Sequence, residues 1–436
     1  MASDGQGAKR HQSRILRTSR LVSPEGSPGE WEVGPVNEDL LSRIAAIDQH
    51  ALDAWRLGRL RDELRQRDFA GALLADPMNL RYATGTRNMA IWTMHAPGRY
   101  AFVATEGPVV LFEFSATKHV TAGGHFDEMR SSTPWIYFLA GPRTGEKATV
   151  WADEIASLLA RHGGGNRRLA VDRCDPPGAE RLLAHGIQLF DVQEAIEQAR
   201  RIKSPEEIAC LRLSMEVCDL AIDRMRAALR PGITENQLWA VLHETNIAHG
   251  GEWIEARALV SGERTNPWFQ ECGGRVIEAG DIVAFDTDLV GPHGYLADIS
   301  RSYVCPDRRP SDTQRMLYAL AQEQVLFNMG LLRPGLGFRD FADRCWRVPE
   351  GFMPNRYMMM VHGVGFVDEY PSVAFAQDWD AWGYDGVFEE NMVVSVESYM
   401  GEAGGHEGVK LEQQVLITAD GAVALSRTPF VDAIEP

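Results

Sequence analysis

Apolar positions recur along this chain in two rhythms, and the character of the pattern changes near residue 200. The first 36 residues follow neither rhythm. They contain Ser-Pro-Glu-Gly-Ser-Pro-Gly and predict a flexible arm, available to lie on a partner subunit. From Asn37 or Asp39 onward Leu40, Leu41, Ile44, Ile47, Leu52 and Leu60 return at near-helical spacing. That predicts a helix whose densely charged later part, residues 56–67, faces solvent. Residues 71–75 read as a buried strand, and residues 100–104 with 108–114 as a hairpin. Helices over 149–161 and 177–185 then alternate with strands near Leu169 and Leu189, an α/β arrangement. Gly163, Gly164 and Gly165 read as a turn after a helix.

Beyond residue 200 the strands lengthen. Residues 194–228 predict helix, break, helix, with Ser204 as N-cap, Pro205 at the first helical position and Glu207 closing a capping box. Thr234 caps another helix carrying Leu238, Leu242 and Ile247, and further helices are expected over 316–332 and 338–346. Strands over 256–262, 281–303, 357–364, 391–400 and 409–418 complete a curved antiparallel sheet with helices outside. The expected organisation is an arm (1–36), an α/β domain (37–200) and an α+β domain (201–436).

The second domain is organised around Asp281 to Tyr303, DIVAFDTDLVGPHGYLADISRSY. Two β-branched runs flank Gly-Pro-His-Gly at 291–294, which predicts a hairpin. Asp286 and Asp288 are two apart on one strand and share a face, and the hairpin returns Asp298 beside them. Three carboxylates inside an apolar sheet repel one another, and a divalent metal is the usual remedy. Further ligands are sought downstream. An apolar run over 357–361 delivers His362 into His-Gly-Val-Gly, and Glu397 and Glu412 each interrupt a strand-like run. Alternation puts Glu397 on the face of Val393 and Ser395, where burial is compatible but not compelled.

Composition narrows the functions open to such a chain. It carries 61 acidic against 44 basic residues, a formal charge of -17, which disfavours nucleic acid and anionic membranes as partners. A small cationic or zwitterionic ligand is not opposed by that field. The six cysteines are dispersed without a CxxC pair and read as reduced thiols of a cytoplasmic protein. The start of the chain lacks an apolar stretch of the kind a secretory signal needs, no run is long enough for a membrane span, and no glycine-rich nucleotide motif follows a strand.

The ordered set of hairpin aspartates ending in Asp-Ile-Ser-Arg-Ser, then His-Gly-Val-Gly, then two separated strand glutamates resembles the pita-bread metallopeptidase superfamily of methionine aminopeptidase, prolidase and creatinase. The likeness is strong over about residues 200 to 425 and specific in its five-part order. Two departures matter. In the peptidases His-Gly-x-Gly is followed after three residues by His-Glu, whereas here the spacing is shorter and Asp368 stands where the catalytic histidine is expected. The stretch Ser261-Gly262-Glu263-Arg264-Thr265-Asn266-Pro267-Trp268-Phe269-Gln270-Glu271-Cys272-Gly273 also lacks the histidine the peptidases usually place nearby. These features, with FDTDLVG, GEWIE and HGVGxxDE, are similar to the dimethylsulfoniopropionate lyase branch, and weaker likeness extends through residues 79–84 and 88–92.

That resemblance implies a creatinase-like first domain, a pita-bread catalytic domain and a homodimer. It implies Asp286, Asp288, Asp298, His362, Glu397 and Glu412 as ligands of two divalent metals, Asp368 as catalytic base and Tyr357 as an active-site residue. Iron is favoured by the branch, and Mn, Co or Zn also suit an oxygen-rich set with one imidazole. The implied substrate is a small zwitterionic sulfonium, cleaved to acrylate and dimethyl sulfide. An aromatic wall would attract its cation by about 0.5 to 2 kcal/mol per ring, and Trp92, Trp268, Tyr357 and Phe366 are the candidates. Each also has a plain packing role open to it, and Asp368 can instead orient His362. An Xaa-Pro type metallohydrolase would share the whole metal set, and a non-catalytic relative should have lost ligands that this chain retains.

Overall fold

The computed structural model describes residues 36–430, so the arm expected over residues 1–36 lies outside the described residues except for Val36. The helical start is two helices, Glu38–Ala45 and Gln49–Gln66, the second capped by Asp48, whose side chain accepts from Ala51 N. Its charged later part is solvated on one face only, at Asp62 and Arg65. Arg56 is 1% exposed, and Leu57, Leu60, Glu63 and Leu64 are buried with it. The guanidinium finds Asp53 on its own helix and aromatic rings beyond it, so charge density there marks an internal ion-pair layer.

The first sheet has six strands in the order Glu128–Ser131, Val109–Glu113, Tyr100–Ala104, Gly71–Leu74, Arg168–Val171, Gln188–Asp191. The central pairing of Gly71–Leu74 with Tyr100–Ala104 is antiparallel, whereas Arg168–Val171 joins in parallel after the helix Thr144–His162. Glycines 163 to 165 do turn the chain after that helix, with φ of 59° and 91° at Gly164 and Gly165.

Helix Gln193–Arg200, a short break and helix Pro205–Ala228 follow, with the Ser204–Glu207 capping box formed as expected. The second half then builds two three-stranded sheets and a five-stranded antiparallel one. The five strands run in the order Asp368–Val373, Val361–Val364, Val393–Gly401, Gly408–Thr418, Gly421–Ala424. Helix Asp312–Leu331 packs on the two longest of them. The strand expected from residue 357 begins only at Val361, because pairing starts where Met360 N donates to Val373 O at 3.0 Å. Tyr357 is thereby left on irregular backbone.

The two halves meet in a layer of buried charge. Phe366 is 1% exposed, with the guanidinium carbons of Arg56, Arg81 and Arg200 at 5.2, 5.6 and 6.0 Å from its ring centre. Beside it Lys203 Nζ donates to Glu369 Oε2 at 2.8 Å, and Tyr370 N donates to Glu197 Oε2 at 2.8 Å. Residues on the first half's closing helix and the segment after it are therefore tied to the strand that begins at Asp368. The buried cations are matched by carboxylates and aromatic faces, as buried charge requires. No helix among the described residues is long and apolar enough to cross a membrane.

Candidate metal centre

The predicted hairpin forms, but with a step in it. Ile282–Asp286 pairs with Ser300–Val304, Ser300 opposite Asp286, and the shorter strands Leu289–Val290 and Leu296–Ala297 continue toward the turn. Between them the backbone leaves the ladder at Thr287 and Asp288, and Asp288 takes φ 34°. Thr287 Oγ1 fills the gap by donating to Ala297 O at 2.9 Å and accepting from Ile299 N at 3.0 Å. Asp286, Asp288 and Asp298 all line one cavity of about 330 Å³.

His362 arrives on the neighbouring sheet at a bulge between His362 and Gly363. A side chain on Gly363 would collide with the Tyr370 carbonyl, and one on Gly365 with the Glu369 carboxylate, which explains the glycines of His-Gly-Val-Gly. Glu397 and Glu412 are direct cross-strand partners, so the two long strands present both carboxylates on one face. His362 Nε2 lies 3.3 Å from Glu397 Oε1, 3.5 Å from Asp298 Oδ2 and 3.6 Å from Glu412 Oε1. Its Nδ1 lies 3.4 Å from Asp368 Oδ1.

Three donor groups result, each with ligand atoms within 4.8 Å of one another: Asp298, His362, Asp368; His362, Glu397, Glu412; and Asp286, Asp298, Glu412. They share members and form one array. Asp288 stands outside all three groups but lines the same cavity. Asp286 Oδ1, Asp298 Oδ1 and Glu412 Oε1 are buried and have no hydrogen-bond partner among the described residues. Orphaned buried carboxylate oxygens are costly, and hard oxygens beside one imidazole suit a divalent transition metal. The residues present fit such an ion.

A lysine missing from the sequence reading sits among these acids. Lys410 is buried, and its Nζ donates to Glu397 Oε2 at 2.5 Å, Ser300 Oγ at 2.6 Å and Glu412 Oε2 at 3.1 Å. It also lies 3.3 Å from Asp286 Oδ2 and 4.4 Å from the centre of the Tyr357 ring. Its signal was present: residues 410 and 412 are two apart on a strand and share a face.

The acids raise one another's proton affinity. Burial, then Glu412, pushes Asp286 and Asp298 well above the usual carboxylate range, and burial with Asp368 lifts Asp288 to about 7. For His362 burial opposes protonation, but Asp368, Glu397 and Glu412 outweigh it and hold the imidazole well above its ordinary value. Burial likewise opposes the charge on Lys410, and Asp286, Glu397 and Glu412 overcome it. Glu412 is the exception, drawn well below its ordinary value against burial by Lys410 and His362. An unfolded aspartate titrates near 4, so above that pH the metal-free folded chain holds protons that the unfolded chain releases. Stability from the raised acids, the histidine and the lysine is lost as pH rises, and Glu412 opposes this only at low pH. The melting temperature of chelator-treated protein should fall as pH goes from about 5 to about 8, and reloading with metal should flatten the profile. Thermal melts across that window check this, and a metal-free value rising with pH would contradict it.

The expected aromatic wall is brought together only in part. Trp268 and Tyr357 line the cavity, joined by Phe269, Met358 and Met359. Phe366 does not, being enclosed by the arginines at the junction of the halves. Trp92 packs against Phe114, Phe138 and His95 in the first half. Neither is among the residues lining the cavity. Asp368 does open onto it, with 62% of its side chain accessible. Though accessible, the carboxyl loses enough hydration to the surrounding protein for its proton affinity to rise, and His362 partly offsets this. Glu255, to which sequence reasoning gave no role, is exposed at the surface yet lifted to about 7 by partial loss of hydration and by Asp368.

A curved-sheet second half with a carboxylate–histidine array, behind an α/β first half, defines a class. Residues 56–202 match the creatinase/prolidase N-terminal domain and residues 209–419 match metallopeptidase family M24. Solved structures with this fold include an Xaa-Pro dipeptidase from Bacillus anthracis, with TM-score 0.69, 21% identity and coverage of 86% of this chain and 97% of that one. The prolidase of Pyrococcus horikoshii matches with TM-score 0.67 and 21% identity, over 86% and 98% of the two chains. Within this creatinase-like, pita-bread class the chain belongs to the dimethylsulfoniopropionate lyase family. It is 39% identical to dimethylsulfoniopropionate lyase DddP of Roseovarius nubinhibens over 92% of this chain and 93% of that protein. It is 38% identical to the protein of the same name from Roseobacter denitrificans, over 97% and 99%.

Proposed function

We propose that this protein is a metal-dependent carbon–sulfur lyase that cleaves dimethylsulfoniopropionate by β-elimination to acrylate and dimethyl sulfide. Near-full-length identity to two lyases of that name carries the reading, and the chemistry of the cavity supports it. Asp286, Asp288, Asp298, His362, Glu397 and Glu412 are assigned as ligands of two divalent ions, with iron favoured over Mn, Co or Zn. Such ions would bind the substrate carboxylate and stabilise the negative charge that grows on it as the α-proton leaves.

The chain's own groups account for the rest. Asp368 takes the α-proton at its accessible carboxylate, and the freed electron pair becomes the new carbon–carbon double bond. The Cβ–S bond breaks with its pair on sulfur, so the sulfonium leaves as neutral dimethyl sulfide and needs no acid. Asp368 then returns its proton to solvent through the open side of the cavity. His362 Nδ1, 3.4 Å from Asp368 Oδ1, orients that carboxylate, and Tyr357 with Trp268 and Phe269 supplies the apolar wall. Incubation of purified metal-loaded protein with dimethylsulfoniopropionate should release dimethyl sulfide into the headspace. Release of proline from an Xaa-Pro dipeptide in its place would favour the hydrolase reading.

The assembly proposed is a homodimer in which the first half of one chain borders the cavity of the other. Ile91 and Phe138 are 52% and 77% exposed around Trp92, an apolar surface suited to an interface. A sedimentation mass of one chain at micromolar concentration would refute it. Six unpaired thiols among the described residues support a reducing, cytoplasmic compartment.

A further inference from the structure

Phe269 is held in a place that packing does not account for. Its side chain is 60% exposed and its backbone is left-handed, at φ 68°. A bulky residue adopts that conformation only where its surroundings impose it. Here they do. The buried carboxylate of Glu235 accepts from Ser261 N and Gly273 N, each at 2.9 Å, and pairs with Arg264. Both ends of the 261–273 segment are thereby pinned to one helix. Within it Gln270 Nε2 donates to Arg264 O at 3.0 Å and Pro267 O at 3.1 Å. Asn266 Nδ2 donates to Glu402 O at 2.8 Å and Gly405 O at 2.9 Å. A loop tied this firmly presents the ring to the cavity.

The displayed ring stacks on Tyr357, with centroids 5.2 Å apart and planes at 25°, and both residues line the cavity that holds Asp286, Asp288, Asp298 and Asp368. One site therefore combines a carboxylate-rich region, fit for metal and for the substrate's acid end, with an aromatic and thioether region that includes Met358. We propose that Phe269 is the specificity-determining residue for the cationic end of the substrate, its ring face receiving the onium group. The proposal rests on the lyase reading above and adds a selection rule to it. An aromatic face attracts a soft cation through its quadrupole, and an aliphatic side chain of similar bulk does not. The site should therefore prefer an onium carboxylate over its neutral isostere.

The test uses metal-loaded full-length protein and two ligands of nearly equal shape: dimethylsulfoniopropionate, whose KM is measured, and 4-methylpentanoate, in which carbon replaces sulfonium and whose inhibition constant is measured. Phe269→Leu should raise KM for the sulfonium by about 2- to 30-fold, the range of one cation–π contact, and move the inhibition constant of the neutral acid less than about twofold. kcat should fall far less than KM rises, and Phe269→Tyr should restore the wild-type ratio. Equal weakening of both ligands would mean that the ring serves packing alone and would overturn the proposal, as would an unchanged ratio. Calorimetric binding of the neutral acid and of 3-(trimethylammonio)propionate reads the same preference without turnover. Absence of dimethyl sulfide from the wild-type reaction would thus sink the lyase reading, while the binding ratio judges Phe269 on its own.

Discussion

Asp368→Asn should lose about 10²- to 10⁴-fold in turnover, the usual contribution of a general base, while keeping its metal content. The substitution holds the shape of the side chain and removes only its capacity to take a proton. Asp368 is suited to the role by position and by environment. Its carboxylate opens onto the cavity, faces His362 Nδ1 at 3.4 Å and has its proton affinity raised, chiefly by the surrounding protein. A carboxylate near its ordinary pKa of about 4 is a feeble base toward carbon, so the upward shift works in the needed direction. Stopped-flow or headspace measurement of turnover, with metal content determined on the same sample, decides the matter. Retention of more than about a tenth of wild-type turnover is incompatible with a base of that strength, and Tyr357 would become the candidate.

Asp298→Asn should remove activity more completely, and by another route. Asp298 belongs to two of the three donor groups, so its loss cripples the array at its junction. Elemental analysis is expected to find the variant depleted of metal after purification that leaves the wild type loaded. The two proteins should also change places in stability. With metal, the wild type melts higher, because binding energy is folding energy. After chelation the variant should melt higher, since burial and then Glu412, Asp288 and Asp286 all disfavour the charge that has been removed. The surrounding backbone bonds, Asp298 N to Gln414 Oε1 and Ser395 Oγ to Asp298 O, do not depend on the carboxylate. A variant that keeps its metal, or that melts below the wild type in chelator, would remove Asp298 from the ligand set.

Much of this was legible in the sequence because two elementary periodicities carry it. The capping box at Ser204 and the cap at Thr234 form as read, since they depend on four consecutive residues and little else. Glu397 and Glu412 could be located on strands, but not as direct partners, because register is set by the whole length of the 393–401 and 408–418 pair. The burial of Arg56 was missed for a different reason. Arg56 meets a partner surface contributed by residues more than a hundred positions away, such as Glu207 and Phe366. Phe366 illustrates the same limit from the other side. Two residues before Asp368, it was expected to line the cavity, yet the turn between the strands directs it into the arginines. Phe269 sits in a loop without period, and nothing local distinguishes its ring from that of Trp268.

The ties between Phe366, Glu369, Tyr370 and the first half have a mechanical consequence. Asp368 rides on a strand clamped from outside its own sheet by Lys203, Glu197 and the three arginines, whereas Glu397 and Glu412 hang on the long strands braced by helix Asp312–Leu331. The group assigned to the proton and two of the groups assigned to the metals thus belong to different frames, joined at the short ladder through His362. A small rotation of the first half would act on that ladder as on a lever. It would alter the reach of the Asp368 carboxylate toward the substrate while leaving those two glutamates where they are, so that alignment for proton transfer and capacity for metal can drift, or be selected, independently.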